Sequence, residues 1–145
     1  MLTITRECWI VLVDSAGAMI LENAGTVGAP DLRVIDRIET PKNGLPTNDN
    51  TSATQTHRSG EASDRARLAE TAMVAMLMTR LAFGVRQSRT SRLAIAAPPH
   101  LLEAIRTRLD NDLRGRVVVM LPKTLTHHPL DKVVSVMASA FEHAA

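Results

Sequence analysis

The stretch AIAAPPHLLEAIRTRL, residues 94–109, decides the fold. A run of small apolar residues meets two prolines and passes at once into helical spacing, with Leu101, Leu102, Ile105 and Leu109 on one face. Pro98 pushes Ala97 into an extended conformation, and Pro99 suits the first turn of a helix, where a missing N–H goes unnoticed. The junction is therefore a strand-to-helix switch, with a strand over 92–97.

Beyond the junction, VVVML at 117–121 predicts a further strand, and Leu130, Val133, Val134, Met137 and Phe141 predict a C-terminal helix opened by Pro129. Before the junction, a long helix is expected from Ser63 as N-cap, with Asp64 at the positive end of its dipole. Ala69, Met73, Met76, Leu77 and Leu81 share one face, Leu68, Ala72 and Ala75 widen it, and Gly84 is expected to end it. Methionines at this spacing read as core filler. Nearer the N-terminus, WIVLV at 9–13, the turn DSAG at 14–17 and Ala18 to Leu21 read as a hairpin. After turn chemistry at 23–30, Leu32, Val34, Ile35 and Ile38 suggest a third strand of mixed faces. The order is β-β-β-α-β-α-β-α. It implies a single α/β domain over 1–145, a three-layer, ribonuclease-H-like mixed sheet of about five strands with helices on both faces.

The interruption is TPKNGLPTNDNTSATQTHRSGEASD at 40–64, which lacks the apolar residues for a packed core and reads as a flexible loop or one that orders on a partner. Of the 145 residues 45% are hydrophobic but only 2% aromatic, so aliphatic side chains must fill the core and base stacking is disfavoured as a binding mode. The single cysteine, Cys8, excludes an internal disulfide and fits a reducing compartment. The apolar run at 8–13 is too short for a secretory signal, and Glu70 and Arg80 interrupt the span-like segment 67–85, so the expectation is a cytoplasmic protein without a membrane partner.

Formal net charge is only +2, yet from Arg80 to Lys123 the residues Arg80, Arg86, Arg89, Arg92, Arg106, Arg108, Arg114, Arg116 and Lys123 outnumber the acids Glu103, Asp110 and Asp112. That half either forms a basic face or simply solvates two helices. Asp14, at the exit of the first strand, is placed like the first acid of a two-metal nuclease, with Glu70 as a second, but the strand at 92–97 supplies none. The bland reading makes Asp14 a turn residue that bonds its own backbone. His100, early in a helix whose free N–H groups favour anions, is a candidate for phosphate or carboxylate. The adjacent His127 and His128 lack metal-ligand spacing, Cys8 lacks a histidine partner, and no phosphate-binding loop or nucleophile elbow is present. No catalytic set, metal site or cofactor is expected.

WIVLVDSAGAMIL at 9–21, LAIAAPPHLLEAIRTRL at 93–109 and VVVMLPKTLTHHPLDKV at 117–133 resemble a family of bacterial proteins described as required for attachment to host cells. The most specific piece is APPHLLEAIR followed by KTLTHHP. The resemblance implies a fold similar to the middle domain of archaeo-eukaryotic peptide-release factors, itself ribonuclease-H-like. Release factors carry a Gly-Gly-Gln loop; here Gln55 has no glycines before it, so peptidyl-tRNA hydrolysis is not implied. Met19 also stands where relatives tend to carry a basic residue.

The favoured reading is a non-catalytic binding module whose expected partner is the ribosome or RNA. Its candidate anion or partner contacts are Asp14, Arg86, Arg89, Arg92, His100, Lys123 and His127. The alternative is a hydrolase or nuclease with a site near Asp14 and His100. A protein partner and a homodimer through an apolar helix face stay open beside these.

Overall fold

In the computed structural model, which describes residues 7–26, 28–41 and 59–144, three strands come first: β1 (Cys8–Asp14), β2 (Gly17–Asn23) and β3 (Leu32–Glu39). The helix α1 (Ser59–Arg86) follows, then β4 (Arg92–Ala96), α2 (Pro99–Arg108), α3 (Asn111–Arg114), β5 (Val117–Leu121) and α4 (Leu130–Ala144). The sheet order is β3-β2-β1-β4-β5, with β1, β4 and β5 parallel and β2 antiparallel to both neighbours. This is the ribonuclease-H-like mixed sheet that the element order implies.

Alternation along β1 divides the core. Trp9, Val11 and Val13 face one side with Met73, Val74, Leu77 and Leu81 of α1, Leu101 and Ile105 of α2, and Leu113 of α3. Cys8, Ile10 and Leu12 face the other, under Val133, Met137 and Phe141 of α4, which crosses from β5 towards β3. Each fully buried Leu, Met or Phe contributes about 1.5–3 kcal/mol of transfer free energy, so both layers matter to stability. The mixed faces of β3 have a simple cause. Ile20 pairs with Asp36 but Leu21 pairs with Val34, which leaves Ile35 as a bulge. The extra residue reverses the alternation: Leu32 is buried on the α4 side and Ile38 on the α1 side.

The proline junction forms as expected, with Pro98 extended at φ −59° and ψ 153° and a proline opening α2. Three expectations need correction. The long helix begins at Ser59, not at an N-cap on Ser63, because the apolar spacing from Ala69 onward fixes the helix's face but not its first residue. Residues 59–64 of the 40–64 segment are thus helical, and residues 42–58, including Gln55, lie outside the described residues. A short α3 also appears, nucleated by Asp110, whose side chain accepts from the Leu113 N–H.

Gly84 does not end α1, which continues to Arg86. Its role is close approach: a Cβ there would lie 2.3 Å from Cη2 of the buried Trp9 indole. The helix ends instead in a Schellman turn, with Arg89 N–H donating to Gly84 O, Ser88 N–H donating to Val85 O, and Ser88 left-handed at φ 59°. Gly84→Ala should therefore destabilise despite alanine's better helix propensity. Displacing a packed indole costs about 1–3 kcal/mol against about 1 kcal/mol gained. The midpoint of urea unfolding should fall; a rise would show that the ring yields freely.

Candidate functional site

The parallel strands give the molecule two chemically different edges. At their carboxyl ends, Asp14 follows β1, Pro99 and His100 open α2 after β4, and Lys123 and His127 follow β5. At their amino ends, α1 delivers Arg86 and Arg89 to the start of β4 at Arg92, and α2 and α3 deliver Arg108 and Arg114 to Arg116 beside β5. The seven nominated residues therefore divide between opposite edges and do not form one site.

At the carboxyl edge Asp14 serves as both turn former and anchor. Its Oδ1 accepts from the N–H of Ala16 at 2.8 Å and of Gly17 at 3.1 Å, the self-bonding turn that its position suggests. Its Oδ2 accepts from the Thr126 hydroxyl and lies 3.5 Å from Nε2 of the exposed His127. Sequence reasoning nominated Asp14 and His127 but missed Thr126, since nothing local marks a hydroxyl 112 residues away as the partner. An open depression of about 290 Å³ adjoins this group, lined also by Met19, Arg37 and Glu39. Arg37, cross-strand from Met19, brings its guanidinium 3.1 Å from that sulfur, so a basic group reaches this surface from β3.

His100 is engaged elsewhere. Its Nε2 lies 3.4 Å from Oε2 of Glu70 on α1, so the ring meets a carboxylate of the chain itself. Among the described residues no hydrogen bond or ion pair joins Asp14 to His100 or Glu70, and no group of three or more His, Cys, Asp or Glu is placed to hold a metal ion. Asp14→Ala should cost about 1–3 kcal/mol by freeing two turn N–H groups and the Thr126 hydroxyl. Hydrogen exchange should show the 122–129 segment opening with it; unchanged protection would deny the anchor.

The amino edge is basic by construction. Ser88 and the buried Thr90 hold the turn after α1, the Thr90 hydroxyl lying 2.8 Å from Glu7 O and 2.9 Å from Arg92 O. Arg106 pairs with Glu103, and Arg116 with Asp112; Arg114 donates to the carbonyls of Arg106 and Leu109 at the end of α2. The side chains of Arg86, Arg89, Arg92 and Arg108 have no carboxylate or hydrogen-bond partner among the described residues. Glu7 lies at the same edge, where its carboxylate accepts from the Ser91 hydroxyl at 3.2 Å.

Cys8 sits in this edge but beneath it. It is fully buried, and burial pushes its thiol up to about 12, with Arg92 pulling weakly the other way. Above about pH 9 the unfolded chain loses this proton while the folded chain keeps it, so Cys8 opposes folding as pH rises from about 9 to 12. Below pH 9 it should resist alkylation until the chain unfolds. Rapid labelling of native protein would contradict this burial.

With this geometry in place, the family can be decided. The model of bacterial archaeo-eukaryotic release factor family 12 matches residues 7–137, from the start of β1 into α4. The chain belongs to that family. No curated protein sequence matches this family 12 chain significantly. Among solved structures it is similar to Dom34 of S. cerevisiae, described as a translation termination-like factor involved in RNA quality control pathways and interacting with Hbs1. That likeness has a TM-score of 0.50 at 9% identity and covers 99% of this chain but 37% of Dom34, which makes it a likeness of fold. The archaeal translation termination factor aRF1 is similar with a TM-score of 0.48 at 11% identity, over 94% of this chain and 39% of aRF1. The family 12 chain thus spans well under half the length of either.

Proposed function

We propose that this family 12 chain is a non-catalytic, cytoplasmic binding module that associates with the ribosome by placing its arginine edge on RNA phosphates. The observation that carries the reading is the set of Arg86, Arg89, Arg92 and Arg108 on one edge without carboxylate partners among the described residues. Membership of a release-factor family supports a place in translation, and the scarcity of aromatic residues favours phosphate contact over base stacking. The host-attachment role of the proteins it resembles then follows indirectly, through altered translation. A protein partner is part of the proposal, as Dom34 interacts with Hbs1. Hydrolase or nuclease chemistry at Asp14 and His100 gains no support, since each is held by other residues.

Binding to a fragment of ribosomal RNA, titrated by fluorescence anisotropy across salt, tests this. With Z phosphates contacted, log K should fall against log salt with a slope of about −0.7Z to −0.9Z, steep enough to separate backbone contact from small-ligand binding. Affinity that ignores salt would sink the proposal.

A further inference from the structure

The sheet order leaves β3 and β5 as edge strands, and the two are treated differently. β3 carries Arg33, Asp36, Arg37 and Glu39 and a bulge at Ile35, devices that discourage further pairing. β5, VVVML, also carries a bulge, at Val118, but has neither charge nor proline, and among the described residues no strand pairs with its outer edge. A hollow of about 560 Å³ is lined by the consecutive residues Val117, Val118, Val119 and Met120 together with Arg106 and Arg114. Successive side chains of a strand point to opposite faces, so a hollow touching four in a row runs along the backbone edge. A second hollow of about 590 Å³ lies beyond the other face of the strand, with Lys123, Lys132 and His143 in its wall.

We infer that the free edge of β5 accepts an added strand from an extended, acidic segment of a partner protein. Backbone hydrogen bonds would supply the pairing, and charge selects the occupant: Arg106 is already paired with Glu103, but Arg114, Lys123 and Lys132 have no carboxylate partner among the described residues, and no carboxylate lines either hollow. A second copy fits poorly. Antiparallel self-pairing across this edge would bring the basic linings of the two copies together, with Arg114, Lys123 and Lys132 of each and no carboxylate between them among the described residues. RNA fits poorly too, because phosphates only accept, whereas the edge presents both donors and acceptors over an apolar floor.

The test is anisotropy with the full chain and a fluorescein-labelled peptide of alternating Glu and Val. Binding should fall at least about tenfold for Arg106→Glu/Lys123→Glu, a change of about 1.4 kcal/mol or more. It should also disappear when the peptide is N-methylated at alternate backbone nitrogens, a control that uses wild-type protein. Replacing the peptide's Glu by Lys should abolish binding. Equal binding of the N-methylated peptide, displacement by a uridine decamer, a dimer that excludes the peptide, or no binding at all would each overturn the inference.

Discussion

Gly17→Ala is expected to lower stability by about 3–5 kcal/mol, a large part of the 5–15 kcal/mol typical of a domain. Gly17 closes the β1–β2 turn at φ +157°, a conformation that side chains rarely adopt. An added Cβ would stand 2.2 Å from the backbone oxygen of Ile38 and 3.2 Å from the Glu39 Cα. Those atoms belong to the paired strand β3, where Gly17 lies opposite Glu39, and no rotamer change can remove them. Relief requires parting β2 from β3 where Thr40 N–H bonds Ala16 O at 2.9 Å. Backbone strain of about 1–3 kcal/mol adds to overpacking of about 1–3 kcal/mol, with under about 1 kcal/mol returned by the stiffer unfolded chain. Urea unfolding measures the sum; a loss below about 0.5 kcal/mol would mean that the turn is not held against β3.

The second large effect concerns binding. Arg86→Glu/Arg89→Glu/Arg92→Glu is expected to reduce affinity for ribosomal RNA by on the order of a hundredfold or more, and to lower the magnitude of the salt slope by about 2–3. Arg86 and Arg89 are exposed, Arg92 is half-buried, and none has a carboxylate partner among the described residues. Circular dichroism should stay native, which separates lost contacts from lost fold. Reversal of Arg37 and Lys123 lies away from the arginine edge and should change affinity much less.

Much of this architecture is legible in the chain because its signals are local. Two prolines at 98 and 99, the continuous apolar run of β1 and the spacing of Met73, Leu77 and Leu81 each report on neighbours in sequence. What was hidden depends on contacts between distant segments. Gly84 looks like a helix stop and is a seat for Trp9, 75 residues earlier, because a missing side chain carries no sign of what fills its place. The bulge at Ile35 shows only as an unclean alternation in β3. The candidate residues were recognisable by type, but their division between two edges follows from strand direction, which no single stretch records. His100 shows the same limit. Its helix-start position is legible, but its contact with Glu70 of α1, 30 residues earlier, appears only in the fold.

The most direct test of the central claim is sedimentation of the tagged full chain with ribosomes from a bacterial lysate at low and high salt. The Arg86→Glu/Arg89→Glu/Arg92→Glu variant runs alongside. Wild type should travel with ribosomes at low salt, leave them at high salt, and the variant should stay at the top of the gradient in both. Wild type that remains at the top in low salt, or a variant that co-sediments as well as wild type, would contradict ribosome association through the arginine edge.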